Sequence, residues 1–128
     1  MIHGLSHLLN GTDAYYDVVS GVSAGALNSA AVAMFAPEQA KAMSEWLFNY
    51  WKTVTADMIY QQWPGGLSSG LFNETGVLDS SPLLNTLITT MAQLGGIIQK
   101  RIVVSAVDVN TGAYRTYTEL NTPTEDFP

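Results

Sequence analysis

The sequence predicts an α/β layered fold with a mostly parallel sheet, and three observations predict it. Short β-rich runs alternate with longer helical periodicities; the run at residues 101–107 (RIVVSAV) is almost continuously apolar; and a segment of small residues follows the first β-rich run across a glycine-flanked break. The 128 residues are 47% hydrophobic and 12% charged, enough apolar side chain for one domain with a buried core and too little charge for a disordered chain.

The elements follow in order. Ile2, Leu5, Leu8 and Leu9 recur at helical spacing, so residues 2–9 read as a helix that ends near Asn10-Gly11, where glycine suits a left-handed cap. Residues 15–20 (YYDVVS) form a short strand, broken at Gly21-Val22-Ser23-Ala24-Gly25. Residues 24–35 (AGALNSAAVAMF) are small or apolar on nearly every side, as in a helix buried all round. Pro37 opens an amphipathic helix with Ala40, Met43, Leu47 and Tyr50 on one stripe and Glu38, Lys41, Glu45 and Lys52 elsewhere.

Residues 53–80 lose regular pattern and read as a long irregular stretch of the kind that forms lids or binding walls. Ser81-Pro82 starts a third long helix, with Leu83, Leu84, Leu87, Ile88 and Met91 inward and Gly95-Gly96 at its end. Residues 101–107 are a strand covered on both faces, Asn110-Thr111-Gly112 a turn, and residues 114–119 an alternating strand that returns antiparallel at a sheet edge. Residues 121–128 trail off.

Composition removes several function classes. Five Lys and Arg against eleven Asp and Glu give a net charge of -6, and the basic residues are scattered, so the clustered cations that a phosphate backbone requires are missing. Nucleic acid is therefore excluded as a partner, and the acidic balance disfavours anionic membranes while leaving transient hydrophobic contact with a membrane surface open. Without cysteine there is no disulfide, thiol catalysis or thiolate metal site. Residues 1–9 lack the features of a secretory signal, and no run approaches the roughly 18 apolar residues of a membrane span. The chain as given is expected to be soluble, with its compartment unassigned.

The chemistry centres on Gly21-Val22-Ser23-Ala24-Gly25. A serine hydroxyl is a weak nucleophile, so an enzyme must present it where a base reaches it and where the oxyanion can be held. In the G-x-S-x-G elbow the serine occupies a tight strand-to-helix turn, flanking glycines relieve Cβ clashes, and the helix N-terminus faces the developing charge. A second match, Gly66-Leu67-Ser68-Ser69-Gly70, has no strand before it and no helix after it and reads as a flexible loop. The bland alternative for Ser23 is a helix cap beside a glycine turn.

Residues 16–28 (YDVVSGVSAGALN) closely resemble the nucleophile segment of patatin-like phospholipases. Weaker echoes extend the resemblance over nearly the whole chain: the helix at residues 2–9, the LDSSPL stretch at 78–83, and VSAVDVNTG at 104–112. The resemblance implies a three-layer α/β/α fold, here a single partial domain incomplete at both ends. It also implies hydrolysis of lipid acyl esters by a Ser-Asp dyad, with Ser23 as nucleophile, Gly21, Val22, Ala24 and Gly25 as its elbow, and neither metal nor cofactor.

Two parts of the family pattern have no match. A glycine-rich oxyanion loop is expected before the opening helix, and the dyad aspartate in an Asp-Gly-Gly or Asp-Gly-Ala turn; no Asp here is followed by Gly. Asp13, Asp17, Asp57, Asp79, Asp108 and Asp126 therefore do not match the dyad position, Asp108 instead suiting a turn with Asn110. The fragment alone is expected to be nearly inactive and prone to aggregation.

Two other readings stay open: a non-catalytic lipid-binding or interaction module of the same fold, and a Ser-His-Asp α/β-hydrolase. The latter needs a histidine after the serine, whereas His3 and His7 precede it and read as a solvated helix face. Trp46, Trp51, Trp63, Phe48 and Phe72 line an acyl pocket on one reading and plain core on the other.

Overall fold

The computed structural model describes residues 1–9, 11–74 and 76–120. The expected tail at 121–128, with Asp126, lies outside the described residues. The chain divides into two compact units, one formed by Met1–Tyr50 with the residues from Gly96 on, the other by Trp51–Gly95.

The first unit holds α1 (Ile2–Leu8), a 3-10 turn (Gly11–Ala14), β1 (Val18–Val22), α2 (Ala24–Ala33), a second 3-10 turn (Pro37–Gln39), α3 (Ala40–Thr53) as far as Tyr50, β2 (Arg101–Val107) and β3 (Tyr114–Thr118). Its sheet has the order β1-β2-β3. β1 and β2 run parallel from Val18↔Arg101 to Val22↔Ser105, while β3 returns antiparallel from Val107↔Tyr114 to Val103↔Thr118. The described strands thus make one parallel and one antiparallel pairing, the antiparallel return at the sheet edge being the one expected of residues 114–119, because the short turn after β2 can only reverse the chain.

Burial along β1 alternates, with Val19 and Gly21 half-buried and Val18, Ser20 and Val22 exposed. The inner side meets a cluster of Val32, Met43 and Leu47, against which Ile2, Tyr16, Val19, Ala31, Phe35 and Trp46 pack. Ile102, beside Val19 in the register, is fully buried. Ile102→Ala is therefore expected to cost about 3 kcal/mol, read as a lower urea midpoint at unchanged slope.

Several expectations shift. α1 ends at Leu8, with Leu9 extended at ψ 141 and its N–H on the Leu5 carbonyl, and Gly11 opens the 3-10 turn instead of ending the helix. β1 begins at Val18 and continues through Gly21 to Val22, because pairing with β2 carries the strand into the glycine motif. α2 is buried at Ser29, Val32 and Ala33 and less so toward its start, so it is not buried all round. β2 is covered at Ile102 but exposed by Ala106 and Val107, since α2 packs along one side of β1 and β2. The α3 stripe holds as expected, with Ala40, Met43 and Leu47 buried together with Ser44.

The end of α2 is fastened by residues that sequence pattern did not single out. The Gln99 and Lys100 backbone N–H groups both donate to the Ala33 carbonyl, at 2.7 and 3.2 Å. Buried Lys100 donates from Nζ to the Val32 carbonyl at 3.2 Å and lies 5.0 Å from the Tyr16 ring centroid. A cation suits the negative end of a helix. Burial pushes the Lys100 ammonium down from its ordinary pKa, against the pull of Glu38 and Asp17, and burial likewise raises the Tyr16 hydroxyl.

Asp108 shapes the β2–β3 turn, accepting from the Asn110 and Thr111 N–H groups at 3.0 and 3.4 Å and pairing with Arg115 at 3.6 Å. The Thr111 hydroxyl above all holds its carboxyl below the usual range, against the opposing effect of burial, with these backbone and Arg115 contacts adding smaller pulls downward. A carboxyl whose folded-state pKa is depressed stabilises above its unfolded value and loses that contribution as pH falls through the folded value. Asp108→Asn should therefore lower Tm at neutral pH, with the gap to the wild type closing below about pH 4. A gap independent of pH would contradict this.

The second unit contains a 3-10 turn (Ala56–Met58), α4 (Gly66–Phe72) and α5 (Ser81–Gln93). The stretch expected to be irregular thus holds a helix, and the second G-x-S-x-G match lies inside it. Gly66, at φ 68, makes the turn into α4, and Gly70 lets the helix approach the chain at Val77, where a Cβ would come within 2.4 Å of the Val77 carbonyl oxygen. Such tertiary contact outweighs the weak helix propensity of glycine and serine.

Gln61 and Asp79 exchange backbone hydrogen bonds at 2.9 and 3.0 Å, and Asp79 accepts the Ser81 N–H at the start of α5. The inner face of α5 is narrower than expected: Thr90 is buried and Leu83, Leu87 and Met91 half-buried, while Leu84 and Ile88 are exposed. The Thr86 hydroxyl reaches the Met58 carbonyl at 2.9 Å, which turns that side of the helix inward.

Candidate active site

At the end of β1 the chain passes from strand to helix through one residue. Ser23 has φ 57 and ψ -131 and is the one non-glycine residue with positive φ among the described residues. A conformation of that kind costs on the order of 1–3 kcal/mol and persists only where the surroundings impose it. Here β1 is fixed by pairing to β2, and α2 begins at Ala24 with the Ala26 N–H on the Ser23 carbonyl at 2.8 Å. Ser23 is squeezed between two elements already held in place.

The Ser23 side chain is exposed, and it makes no cap hydrogen bond to α2. That removes the bland reading, in which the hydroxyl serves the helix. The residue caps through its carbonyl, not its hydroxyl.

Gly21 explains how the bend closes. A Cβ there would lie 2.1 Å from the Gly25 carbonyl oxygen and 2.7 Å from the Ala26 nitrogen, far inside contact distance. Gly25 is different: a Cβ on it meets nothing within 4 Å, so the expectation that both glycines relieve crowding is corrected to Gly21 alone. Val22 closes the strand opposite Ser105 and Ala24 opens the helix, both exposed beside Ser23.

Local electrostatics favour an anion at this corner. The first N–H groups of a helix have no intrahelical acceptor, which leaves those of Ala24 and Gly25 to face other partners. No acidic side chain lies in the first turn of α2 to neutralise its positive end.

Nothing described supplies a base. Asp17 precedes β1 and so sits about 20 Å of extended chain from Ser23, its carbonyl accepting the Arg101 N–H at 2.8 Å. Asp108 follows β2 at the same end of the sheet as Ser23, but its carboxylate is committed to the turn and to Arg115. Asp13 is exposed and lines a cavity of about 240 Å³ with Ile2, Leu5, Tyr16 and Met43. Asp57 and Asp79 belong to the second unit, where the Thr55 hydroxyl and the Gln61 amide respectively are the main groups holding their carboxyls low. A second cavity, of about 330 Å³, is lined by Asp17, Lys100, Arg101 and Glu119. Neither of these two cavities includes Ser23.

Of the two histidines expected on a solvated face, His7 is exposed as expected and His3 is not. His3 stacks on Phe48 at 4.5 Å and 6°, meets His7 edge-on at 4.4 Å, and keeps Nδ1 buried without a hydrogen-bond partner, while His7 lies 3.9 Å from Glu45. They dock α1 on α3. No group of three or more His, Cys, Asp or Glu side chains that could hold a metal occurs among the described residues.

The five aromatic residues divide. Trp46 packs between Phe35 and Tyr50, and the Trp63 indole donates to the Gly76 carbonyl at 2.9 Å, whereas Phe48, Trp51 and Phe72 are exposed rather than core. Ser68, in the second motif copy, turns its hydroxyl back to the Gly65 carbonyl within α4.

A strained, exposed serine joining a strand to a helix in an α/β unit defines the class of protein, one built around a strand–serine–helix elbow. The particular family follows from comparison: the model of the patatin-like phospholipases matches residues 1–128, and the chain belongs to that family of lipid acyl hydrolases. No curated protein and no solved structure matches the chain.

Proposed function

We propose that the chain carries the nucleophile of a lipid acyl hydrolase and that the acyl-enzyme forms on Ser23. The observation that supports this most is the backbone of Ser23 itself, held at φ 57 in an exposed residue whose hydroxyl makes no cap bond. Strain of that kind has no use in a helix cap, and it suits a hydroxyl that must clear its surroundings to meet a carbonyl.

In this mechanism Ser23 Oγ attacks the ester carbonyl carbon, the Oγ proton passes to a base, and the oxyanion faces the free N–H groups at the start of α2. Collapse breaks the bond to the lipid alcohol, which leaves with the proton. Water then attacks the acyl-serine and releases the fatty acid. Gly21 holds the bend closed, and Val22 and Ala24 flank the reacting hydroxyl. The base in this family is an aspartate in an Asp-Gly turn, for which the 128 residues offer no counterpart. The complete three-layer α/β/α arrangement is part of the same proposal.

Pre-steady-state mixing with a nitrophenyl acyl ester tests it. The 128 residues alone should acylate slowly, and a longer chain that adds an Asp-Gly turn should release a burst approaching one nitrophenolate per chain. No burst from either would favour a lipid-binding module without chemistry. Rapid turnover by the 128 residues, lost in Ser23→Ala, would contradict the assignment of the base.

A further inference from the structure

We propose that the cavity enclosed by α1, the segment leading into β1 and α3 binds a small alkylammonium ion, with its hydrocarbon chain on Ala40 and Met43 and its ammonium at Asp13. The site is separate from the nucleophile: Tyr16, in its wall, precedes β1, whereas Ser23 follows the other end of that strand. The proposed hydrolysis makes no use of it.

Shape sets the size of the occupant. The cavity holds about 240 Å³, and among its walls Ala40 and Met43 are 5% and 1% exposed while Leu5 and Leu9 are 48% and 40% exposed. Its floor is therefore apolar and buried, and its mouth opens at the surface beside the exposed Asp13. An apolar cavity of about 150 Å³ takes up benzene, so this one has room for a chain of about six carbons with a headgroup.

The polar groups select its charge. The Ser6 hydroxyl is engaged by the His3 carbonyl, at 2.9 Å, and by Ser44, and the Tyr16 hydroxyl donates to Met43 Sδ at 3.8 Å. Lys100 lies over the Tyr16 ring, but it donates to the Val32 carbonyl and is not part of the wall. Among the described residues the cavity thus presents no cation to an anionic ligand. Asp13 presents the opposite, a carboxylate that no cation pairs with among the described residues. An amine with an apolar tail suits both the carboxylate and the walls, whereas a fatty acid would bring a second negative charge to Asp13 in a chain of net charge -6.

Titration calorimetry of the full chain with hexylammonium, hexan-1-ol and hexanoate tests the site. Hexylammonium should bind about threefold more tightly than hexan-1-ol and at least about tenfold more tightly than hexanoate, the first ratio being that of a solvent-exposed ion pair. Asp13→Asn should bring hexylammonium to the level of hexan-1-ol and leave hexan-1-ol itself within about twofold of its wild-type value. Leu5→Trp, which fills the cavity from a half-exposed position, should weaken both at least about fivefold with an unchanged circular dichroism spectrum. Ser23→Ala should bind as the wild type does, so the result stands apart from the nucleophile. The proposal is overturned if hexylammonium does not bind, if hexan-1-ol or hexanoate binds as tightly, or if Asp13→Asn keeps the preference for the cation. A folded Leu5→Trp variant that binds like the wild type equally overturns it, and should that variant unfold, Asp13→Asn decides alone.

Discussion

Gly21→Ala is expected to destabilise the first unit by about 3 kcal/mol or more, a large share of the stability of a domain this small. The added methyl would sit 2.1 Å from the Gly25 carbonyl oxygen and 2.3 Å from its carbon, and neither is a flexible side-chain tip that could swing aside. β1 and α2 would have to separate, yet β1 is paired along its length to β2 and α2 is tied at its far end by Gln99 and Lys100. Urea denaturation reads the loss, and a cost below about 1 kcal/mol would show that the elbow is looser than described. Gly25→Ala is the matched control: with no heavy atom within 4 Å of the new methyl, alanine should leave stability level or raise it by about 0.5–1 kcal/mol through helix propensity.

The second large effect is chemical. Ser23→Ala should lower kcat/KM of the lipid-hydrolysing protein by at least about a thousandfold, because losing the nucleophile removes the covalent route entirely. Stability should hardly change, since the Ser23 hydroxyl makes no cap bond and both side chains meet the same positive φ. Ser23→Gly should be equally inactive but more stable, by about 1 kcal/mol, as glycine adopts φ 57 with little strain. A serine whose loss abolishes turnover and whose replacement by glycine stabilises the fold is kept for chemistry. Retained turnover in Ser23→Ala would remove it from the mechanism.

The elbow was legible in the sequence because its parts are local. A β-rich run, a glycine two residues before the serine and a helix of small residues after it are all contiguous, and steric rules alone turn them into a strand–bend–helix. The α3 stripe was legible for the same reason: period and amphipathicity are properties of one segment.

What was not legible depends on partners distant in the chain. α4 forms where pattern suggested a loop because Gly70 packs on Val77, a contact no local propensity encodes. The inward turn of Thr86 and Thr90 on α5, at the expense of Leu84 and Ile88, follows from a carbonyl 28 residues away at Met58. His3 is stacked on Phe48 rather than solvated, a contact with α3 that the pattern of α1 alone does not encode. Gly25 was credited with a steric role by symmetry with Gly21, although only the glycine on the strand faces the opposing backbone.

The central claim is that one hydroxyl, at Ser23, is presented for covalent chemistry by a strained bend. Treatment with a fluorophosphonate, followed by digestion and mass spectrometry, tests it most directly in a folded chain that includes an Asp-Gly turn. The account predicts a phosphonyl adduct on the peptide containing Ser23, absent in Ser23→Ala, with Ser68 and the other serines unmodified. Adduct formation elsewhere with Ser23 untouched, or no adduct on a chain shown to hydrolyse lipid esters, would contradict it.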